Sequence, residues 1–113
     1  AFVLPDGTNV SLNSGSVLRY PEFFSGDKRE VELIGEAFFD VTKDPNKRFV
    51  VKTTGDERVE VLGTSFNMEA FPGDSILSTT LLEGKVRFVS DAGSVQMSPG
   101  EKLVYNKHGN MAK

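Results

Sequence analysis

The feature that most limits what this chain can fold into is the alternation of apolar and polar side chains in short runs that Gly and Pro interrupt. The clearest run covers residues 64–71, where Phe66, Met68 and Ala70 share one face of an extended segment. A repeat of two residues is typical of a β-strand with one buried face. A helix would need apolar residues at i, i+3, i+4 and i+7, and no uninterrupted stretch has them. The chain is therefore predicted to be all-β.

About ten short strands follow from the same pattern, since turns rich in Gly, Pro, Asn and Asp bound each run. So many short strands are typical of a mostly antiparallel sandwich, or of a rolled barrel resembling a double-stranded β-helix. One helical turn is predicted at residues 21–24. The predicted strands are residues 2–4, 9–12, 17–20, 29–33, 37–41, 49–53, 58–61, 64–71, 76–82, 85–89, 95–97 and 102–105.

A weak internal repeat relates two of these segments. Residues 33–39 resemble residues 82–88 when Gly35 is aligned with Gly84, because Phe39 then falls on Phe88. Glycine within a strand pattern often marks a bulge or a sharp bend. The repeat therefore indicates two similarly bent halves of a rolled sheet, with chance similarity as the alternative.

Charge and composition exclude several classes of protein. Thirteen Lys and Arg against sixteen Asp and Glu leave a net charge of −3, so no basic surface for nucleic acid and no nucleic-acid partner are expected. The absence of Cys excludes disulfides, thiolate metal sites and a thiol nucleophile. The apolar runs are far shorter than the ~20 residues that span a bilayer, and the sequence begins without Met or a signal segment. We expect a soluble domain cut from a longer protein.

No group of residues is predicted to catalyse a reaction. His108, the single histidine, lies in a polar terminal segment and is interpreted as a solvated linker residue rather than a general base or metal ligand. Two carboxylate pairs, Glu30 with Glu32 and Glu57 with Glu60, are expected on exposed strand faces, where like charges are solvated and no glycosidase-type pair forms. We therefore expect no enzyme, no catalytic residue, no cofactor and no bound metal.

Two features predict contacts with a partner protein. The adjacent phenylalanines at positions 23 and 24, and at 38 and 39, would point to opposite faces of an extended chain, so one of each pair is expected outside the main core. The predicted strand 85–89 carries alternating cations, which protect an exposed sheet edge. Lys85, Arg87 and Val89 are therefore the predicted contact residues of an edge strand that accepts a strand from a partner.

Seven sequence motifs in a fixed order cover nearly the whole chain. They are Leu4-Pro5-Asp6-Gly7-Thr8, Val10-Ser11-Leu12-Asn13, Leu18-Arg19-Tyr20-Pro21, the long run from Arg29-Glu30-Val31 to Phe39-Asp40-Val41, Val61-Leu62-Gly63-Thr64-Ser65-Phe66-Asn67, Leu82-Glu83-Gly84-Lys85-Val86 and Pro99-Gly100-Glu101. Most of these positions are turn residues or inward-facing strand residues, so they describe a fold rather than an active site. In identity and order they resemble the periplasmic domain of FecR-type anti-sigma factors.

The resemblance implies a parent protein anchored in the inner membrane, with a short cytoplasmic segment that holds an extracytoplasmic-function sigma factor. Residues 1–105 would form a β domain in the periplasm, and residues 106–113 would be a polar linker toward a further C-terminal domain. The implied partner is the periplasmic signalling domain of an outer-membrane TonB-dependent transducer, contacted mainly by that further domain. The regulator would relay the state of the transducer to the sigma factor, often through regulated proteolysis.

Two other classes stay open on the residues alone. A small β-roll module for carbohydrate or another ligand would need clustered aromatic side chains with converging polar groups, and the chain has no Trp. An enzyme would need an acid or base with a perturbed pKa in a cleft. The signalling regulator is the preferred interpretation, and the ligand-binding module is the alternative.

Overall fold

The computed structural model describes residues 2–107 and the backbone of residues 110–112. Within that part of the chain all regular structure is β, which confirms the all-β prediction. Its twelve strands are β1 (Phe2–Val3), β2 (Asn9–Leu12), β3 (Val17–Arg19), β4 (Lys28–Asp40), β5 (Arg48–Lys52), β6 (Arg58–Val61), β7 (Ser65–Ala70), β8 (Ile76–Glu83), β9 (Val86–Ser90), β10 (Gly93–Met97), β11 (Lys102–Asn106) and β12 (Asn110–Ala112). These residues contain no helix long and apolar enough to cross a membrane.

The strands form two layers that share β4. Sheet A has the order β1-β2-β4-β7-β8-β11-β12, and sheet B has the order β3-β4-β5-β6-β9-β10. Neighbouring strands are antiparallel except β4 and β5, which run parallel. The mostly antiparallel, rolled arrangement agrees with the fold predicted from the sequence.

Strand β4 passes from one sheet to the other at Gly35. Residues 28–34 pair with β3 and β5, whereas residues 35–40 pair with β2 and β7. Gly35 has φ +118°, and a Cβ there would collide with the Ser16 side chain, so only glycine fits this bend. Gly84, with φ +95°, marks the corresponding passage from β8 to β9. The bends predicted from the internal repeat are confirmed, but the two strands predicted at 29–33 and 37–41 are one.

The hydrophobic core lies between the two sheets. Val31, Leu33, Phe66, Met68 and Ala70 point inward, as their alternation predicted. The Phe39 ring stacks on Phe66 with the ring centroids 5.1 Å apart, a geometry that adds to the benefit of burying both rings. Each buried Phe or Leu side chain contributes roughly 1.5–3 kcal/mol relative to an exposed one.

The predicted helical turn at residues 21–24 is wrong. Tyr20 stacks on Phe2 with centroids 6.1 Å apart, and Phe24 packs edge-on against Phe49 at 6.2 Å. The Phe24 carbonyl accepts a hydrogen bond from Lys47 Nζ at 3.0 Å. These anchors hold the segment in an irregular conformation that has no helical hydrogen bonds. Phe23 is 75% exposed, in agreement with the expectation that one member of the pair lies outside the core.

Strand β9 is not an edge strand, so that prediction is wrong. It is hydrogen-bonded to β6 on one side and to β10 on the other. Alternating cations face solvent on a central strand as readily as on an edge, and the sequence carries no local signal of the pairing with β6, which lies far away in the chain. That the side chains of Lys85, Arg87 and Val89 contact a partner stays a prediction.

The chain extends its sheet beyond residue 105. Asn106 belongs to β11, which pairs with β8 and also with β12. His108 lies outside the described residues. The predicted division into a domain at 1–105 and a linker at 106–113 stays a prediction.

Candidate interaction cleft

A buried arginine fixes the loops at one end of the sandwich. Arg29 is only 1% exposed, and its guanidinium donates to Asp6 Oδ2 at 2.8 Å, to the Thr42 carbonyl at 2.8 Å and to the Leu62 carbonyl at 3.1 Å. Its Nε donates to the Lys47 carbonyl at 2.8 Å, and the group lies 5.5 Å from the centroid of the Phe49 ring. Arg29 alternates in step with Val31 and Leu33, which point inward. This alternation is the one sequence signal that Arg29 is buried.

A second set of contacts joins three turns at this end. The Thr64 hydroxyl donates to the Lys85 carbonyl at 3.0 Å, and the Asp44 N–H donates to the Leu62 carbonyl at 3.0 Å. A Cβ at Gly84 would lie 2.7 Å from the Gly63 carbonyl oxygen, so the two turns meet backbone to backbone. The loop between β4 and β5 and the turns that follow β6 and β8 are therefore held at fixed separations.

These turns and the outer face of sheet B enclose an open cleft of about 450 Å³. The one exposed apolar side chain among the lining residues that the structure describes is Leu62, which is 48% exposed, since Val61 and Val86 point into the core. Four cations line it, namely Lys43, Arg48, Lys85 and Arg87. The described residues that line it include no aromatic side chain.

The cleft retains positive charge that the protein does not neutralise. Its one carboxylate, Glu60, accepts from Arg58 Nε at 2.7 Å and lies 3.9 Å from Arg48. Within residues 2–107, no Asp or Glu oxygen comes within 4.0 Å of Lys43, Lys85 or Arg87. The net charge of −3 therefore conceals a local excess of cations.

The same imbalance extends over the outer face of sheet B. Alternation places six cations and three carboxylates on it: Arg19, Lys28, Arg48, Lys52, Arg58 and Arg87, with Glu30, Glu32 and Glu60. Each carboxylate already pairs with at least one of the cations. This face would repel another basic surface and attract an acidic one.

The carboxylate pairs considered from the sequence fall in two different environments. Glu30 and Glu32 face outward and form surface ion pairs, as expected. Glu57 is 6% exposed, so the expectation that it faces solvent is wrong. Glu57 lies two residues before the inward-facing Val59 and therefore points to the same side of the strand. Its Oε1 accepts a hydrogen bond from the Thr53 hydroxyl at 2.8 Å. The group closes the turn between β5 and β6.

The opposite end of sheet B has one carboxyl group with a displaced pKa. The Asp91 N–H donates to Asp56 Oδ2 at 2.7 Å. This hydrogen bond is the main cause that holds the pKa of Asp56 below its ordinary value of 3.8, because it stabilises the charged form. Residues 2–107 contain no group of three or more acidic or histidine side chains placed to hold a metal ion.

The structure brings together two of the three predicted contact residues. Lys85 and Arg87 line the cleft, whereas Val89 lies beyond it on the outer face of β9. Sequence reasoning missed Lys43 and Arg48, because they reach the cleft through the parallel pairing of β4 and β5 and through loop contacts distant in sequence. No local pattern at either position indicates this.

Comparison with known proteins gives a family and a structural match. The sequence model of a family described as FecR protein matches residues 1–87. Two crystal structures of a protein from Parabacteroides distasonis ATCC 8503 designated an anti-sigma factor, at 1.65 Å and 2.50 Å resolution, each superpose with a TM-score of 0.93 at 40% sequence identity. The match covers 98% of this chain and 52% of the solved chain, so this chain spans about half the length of those structures. No curated protein matches.

Proposed function

Because this chain belongs to the FecR protein family, we propose that it is the periplasmic signalling domain of a membrane-spanning anti-sigma factor. In this proposal the parent protein lies in the inner membrane and relays the state of an outer-membrane TonB-dependent transducer to an extracytoplasmic-function sigma factor. The β domain is a protein-binding element rather than an enzyme. The sigma factor is held by a cytoplasmic segment, and residues 106–113 lead toward a further periplasmic domain.

One observation carries the proposal. The chain superposes over 98% of its length on a protein designated an anti-sigma factor, at 40% identity. Identity at this level over a whole domain supports a shared role as well as a shared fold. The regulatory role, the partners and the periplasmic location are inferred from the family.

Reporter fusions to the full gene product that contains this chain test the proposed location. Alkaline phosphatase, which is active only outside the cytoplasm, and green fluorescent protein are each fused before Ala1 and after Lys113. We expect phosphatase activity and no fluorescence at both positions. Fluorescence with no phosphatase activity at either position would overturn the periplasmic assignment.

A genetic test addresses the regulatory role. Deletion of the parent gene should change transcription from a small set of promoters, measured by RNA sequencing. The same deletion is then made in a set of strains, each of which lacks one extracytoplasmic-function sigma factor. The transcriptional change should disappear in the strain that lacks the sigma factor under the control of the parent protein. A transcriptional response that persists in every such strain would contradict the anti-sigma role.

A ligand-binding module is the second candidate, and the cleft is the observation that favours it. Its volume of about 450 Å³ falls within the range of roughly 300–1,000 Å³ that small-molecule sites occupy. A carbohydrate site would normally add an aromatic side chain for the sugar ring to stack on, and the described lining residues supply none. This candidate predicts saturable binding of a neutral small molecule by the isolated chain.

A further inference from the structure

The charge of the cleft points to an acidic occupant. Of its four cations only Arg48 lies within 4.0 Å of a carboxylate, and that carboxylate, Glu60, is already hydrogen-bonded to Arg58. Lys43, Lys85 and Arg87 have no such partner within residues 2–107. Bringing exposed like charges together costs free energy that a bound anionic group would recover.

The shape and the backbone of the cleft favour a peptide over a bare anion. Leu62 exposes an apolar side chain beside the cations, which suits a segment that has both carboxylates and apolar groups. Gly63 and Gly84 line the cleft without side chains, and a backbone carbonyl repels a small anion but accepts a hydrogen bond from a peptide N–H. Single-stranded nucleic acid would be expected to use aromatic stacking platforms, which the described lining residues lack.

We propose that the cleft binds an extended acidic segment of a partner protein. Carboxylates of the segment pair with Lys43, Lys85 and Arg87, and its apolar side chains lie against Leu62. The inference rests on the proposed function in so far as it takes the domain to contact another protein. It adds the position of the contact and the chemistry of the partner.

Fluorescence anisotropy with the 113-residue chain tests the proposal directly. The probe is a fluorescein-labelled ten-residue peptide of alternating Glu and Ala, and the same peptide with Gln in place of Glu is the control ligand. We expect saturable binding of the Glu peptide only, and a weaker affinity as the salt concentration rises, because the contacts are ionic. Absence of binding at low salt would overturn the proposal.

Charge reversal at the cleft gives the matched comparison. The double substitution Lys85→Glu with Arg87→Glu should weaken binding at least tenfold. The double substitution Arg19→Glu with Lys102→Glu changes the net charge equally at exposed positions away from the cleft, and it should weaken binding less than threefold. Equal losses in the two variants would mean a nonspecific charge effect and would overturn the proposal. If the reversed variant fails to fold, Lys85→Gln with Arg87→Gln makes the same comparison without new repulsion.

Competition identifies other occupants. A single-stranded oligonucleotide or pyrophosphate is added to compete with the labelled peptide. If either displaces it at a lower concentration than unlabelled peptide does, that ligand and not an acidic peptide is the occupant, and the proposal is overturned. Self-association in sedimentation that the cleft substitutions abolish would assign the cleft to a second copy of the chain. A negative peptide result leaves the reporter and transcription outcomes untouched, so failure of this inference can be told from failure of the proposed function.

Discussion

Arg29 is the residue on which the loops around the cleft most depend. A buried guanidinium needs all of its hydrogen bonds, because an unpaired charge in the protein interior is costly. Here one carboxylate and three backbone carbonyls accept four hydrogen bonds from it. Asp6, the carboxylate partner, also accepts from the Thr8 N–H at 3.0 Å and the Thr8 hydroxyl at 2.8 Å. The N-terminal hairpin is thereby tied to loops more than thirty positions away in the chain.

Replacing Arg29 with Met should lower the free energy of unfolding by roughly 3–5 kcal/mol, since it leaves the Asp6 carboxylate without its cation and three carbonyls without this donor. The same change at Arg58, whose side chain is 44% exposed, should cost less than about 1 kcal/mol. Urea denaturation followed by circular dichroism measures both. Equal losses in the two variants would show that the buried network contributes no more than a surface ion pair.

Asp56 gives the protein a pH dependence at the end of sheet B opposite the cleft. Its folded-state pKa lies below the ordinary 3.8, so its contribution to stability is fully present above about pH 4 and is lost as the pH falls through the lower, folded-state value. Asp56→Asn should therefore be less stable than the parent chain at pH 5–7, by an amount that does not vary across that range. The difference should shrink below pH 4.

Urea unfolding of both chains at a series of pH values between 2.5 and 7 measures this difference. Asp74→Asn is the comparison, because Asp74 lies in the turn before β8 and its carboxylate has no hydrogen bond or ion pair in residues 2–107. A gap between parent and Asp56→Asn that widens on acidification would contradict the assignment of the Asp91 N–H bond as its cause.

At the scale of the elements, β4 decides the architecture, because one strand belongs to both sheets. The change of sheet at Gly35 requires a positive φ and a side chain no larger than hydrogen beside Ser16. The Ser16 hydroxyl also accepts a hydrogen bond from the Glu36 N–H at 2.9 Å. The bend is therefore held on both sides and cannot shift to make room for a methyl group without losing a hydrogen bond.

Gly35→Ala should destabilise the fold by about 2 kcal/mol more than Gly100→Ala. Both glycines have positive φ, and that conformation costs an L-residue roughly 1–2 kcal/mol. Only at Gly35 would the new methyl meet another residue, since nothing lies within 4 Å of the position it would take at Gly100. Overpacking adds about 1–3 kcal/mol. Thermal and urea unfolding of the two variants give the comparison, and a Gly100→Ala that is the less stable of the two would refute it.

Local sequence patterns predicted the positions of the strands well, because successive side chains in a strand point to alternate faces and this alternation can be read from neighbouring residues. The inward face of β7 at Phe66, Met68 and Ala70 was predictable for that reason. The second neighbour of β9 was not predictable: β10 joins it by a short hairpin turn, whereas β6 pairs with it from a segment distant in the chain. The burial of Glu57 followed from the alternation, yet a charged side chain is normally assumed to face solvent.

At the scale of the whole molecule, the cleft and its charge arise from the folded arrangement and not from any contiguous motif. Lys43 and Lys85 are 42 positions apart, and the net charge of the chain has the opposite sign to that of the cleft. Total charge predicts solubility and average behaviour. It does not predict where a fold collects its cations, which is why the predicted contact residues included only two of the four cations of the cleft, Lys85 and Arg87.

The shared strand and the single core make the molecule one mechanical unit. Both halves of β4 are bonded to two neighbours, and Phe39, Phe49 and Phe66 join the sheets across the core. Neither sheet can open without exposing the core side of the other. A partner bound at sheet B would therefore act on the domain as a rigid body, and a signal would pass by docking rather than by separation of the sheets.

Native-state hydrogen exchange tests this rigidity. Hydrogen-bonded amides in residues 29–34, in sheet B, and 36–40, in sheet A, should exchange through global unfolding with free energies that agree within about 1 kcal/mol. The two-residue strand β1 should exchange at lower free energy, because it pairs only with β2 at the border of sheet A. If one half of β4 exchanged several kcal/mol more easily than the other, the sheets would open independently. A signal could then pass through the domain by a change of shape, and the rigid-body mechanism would fail.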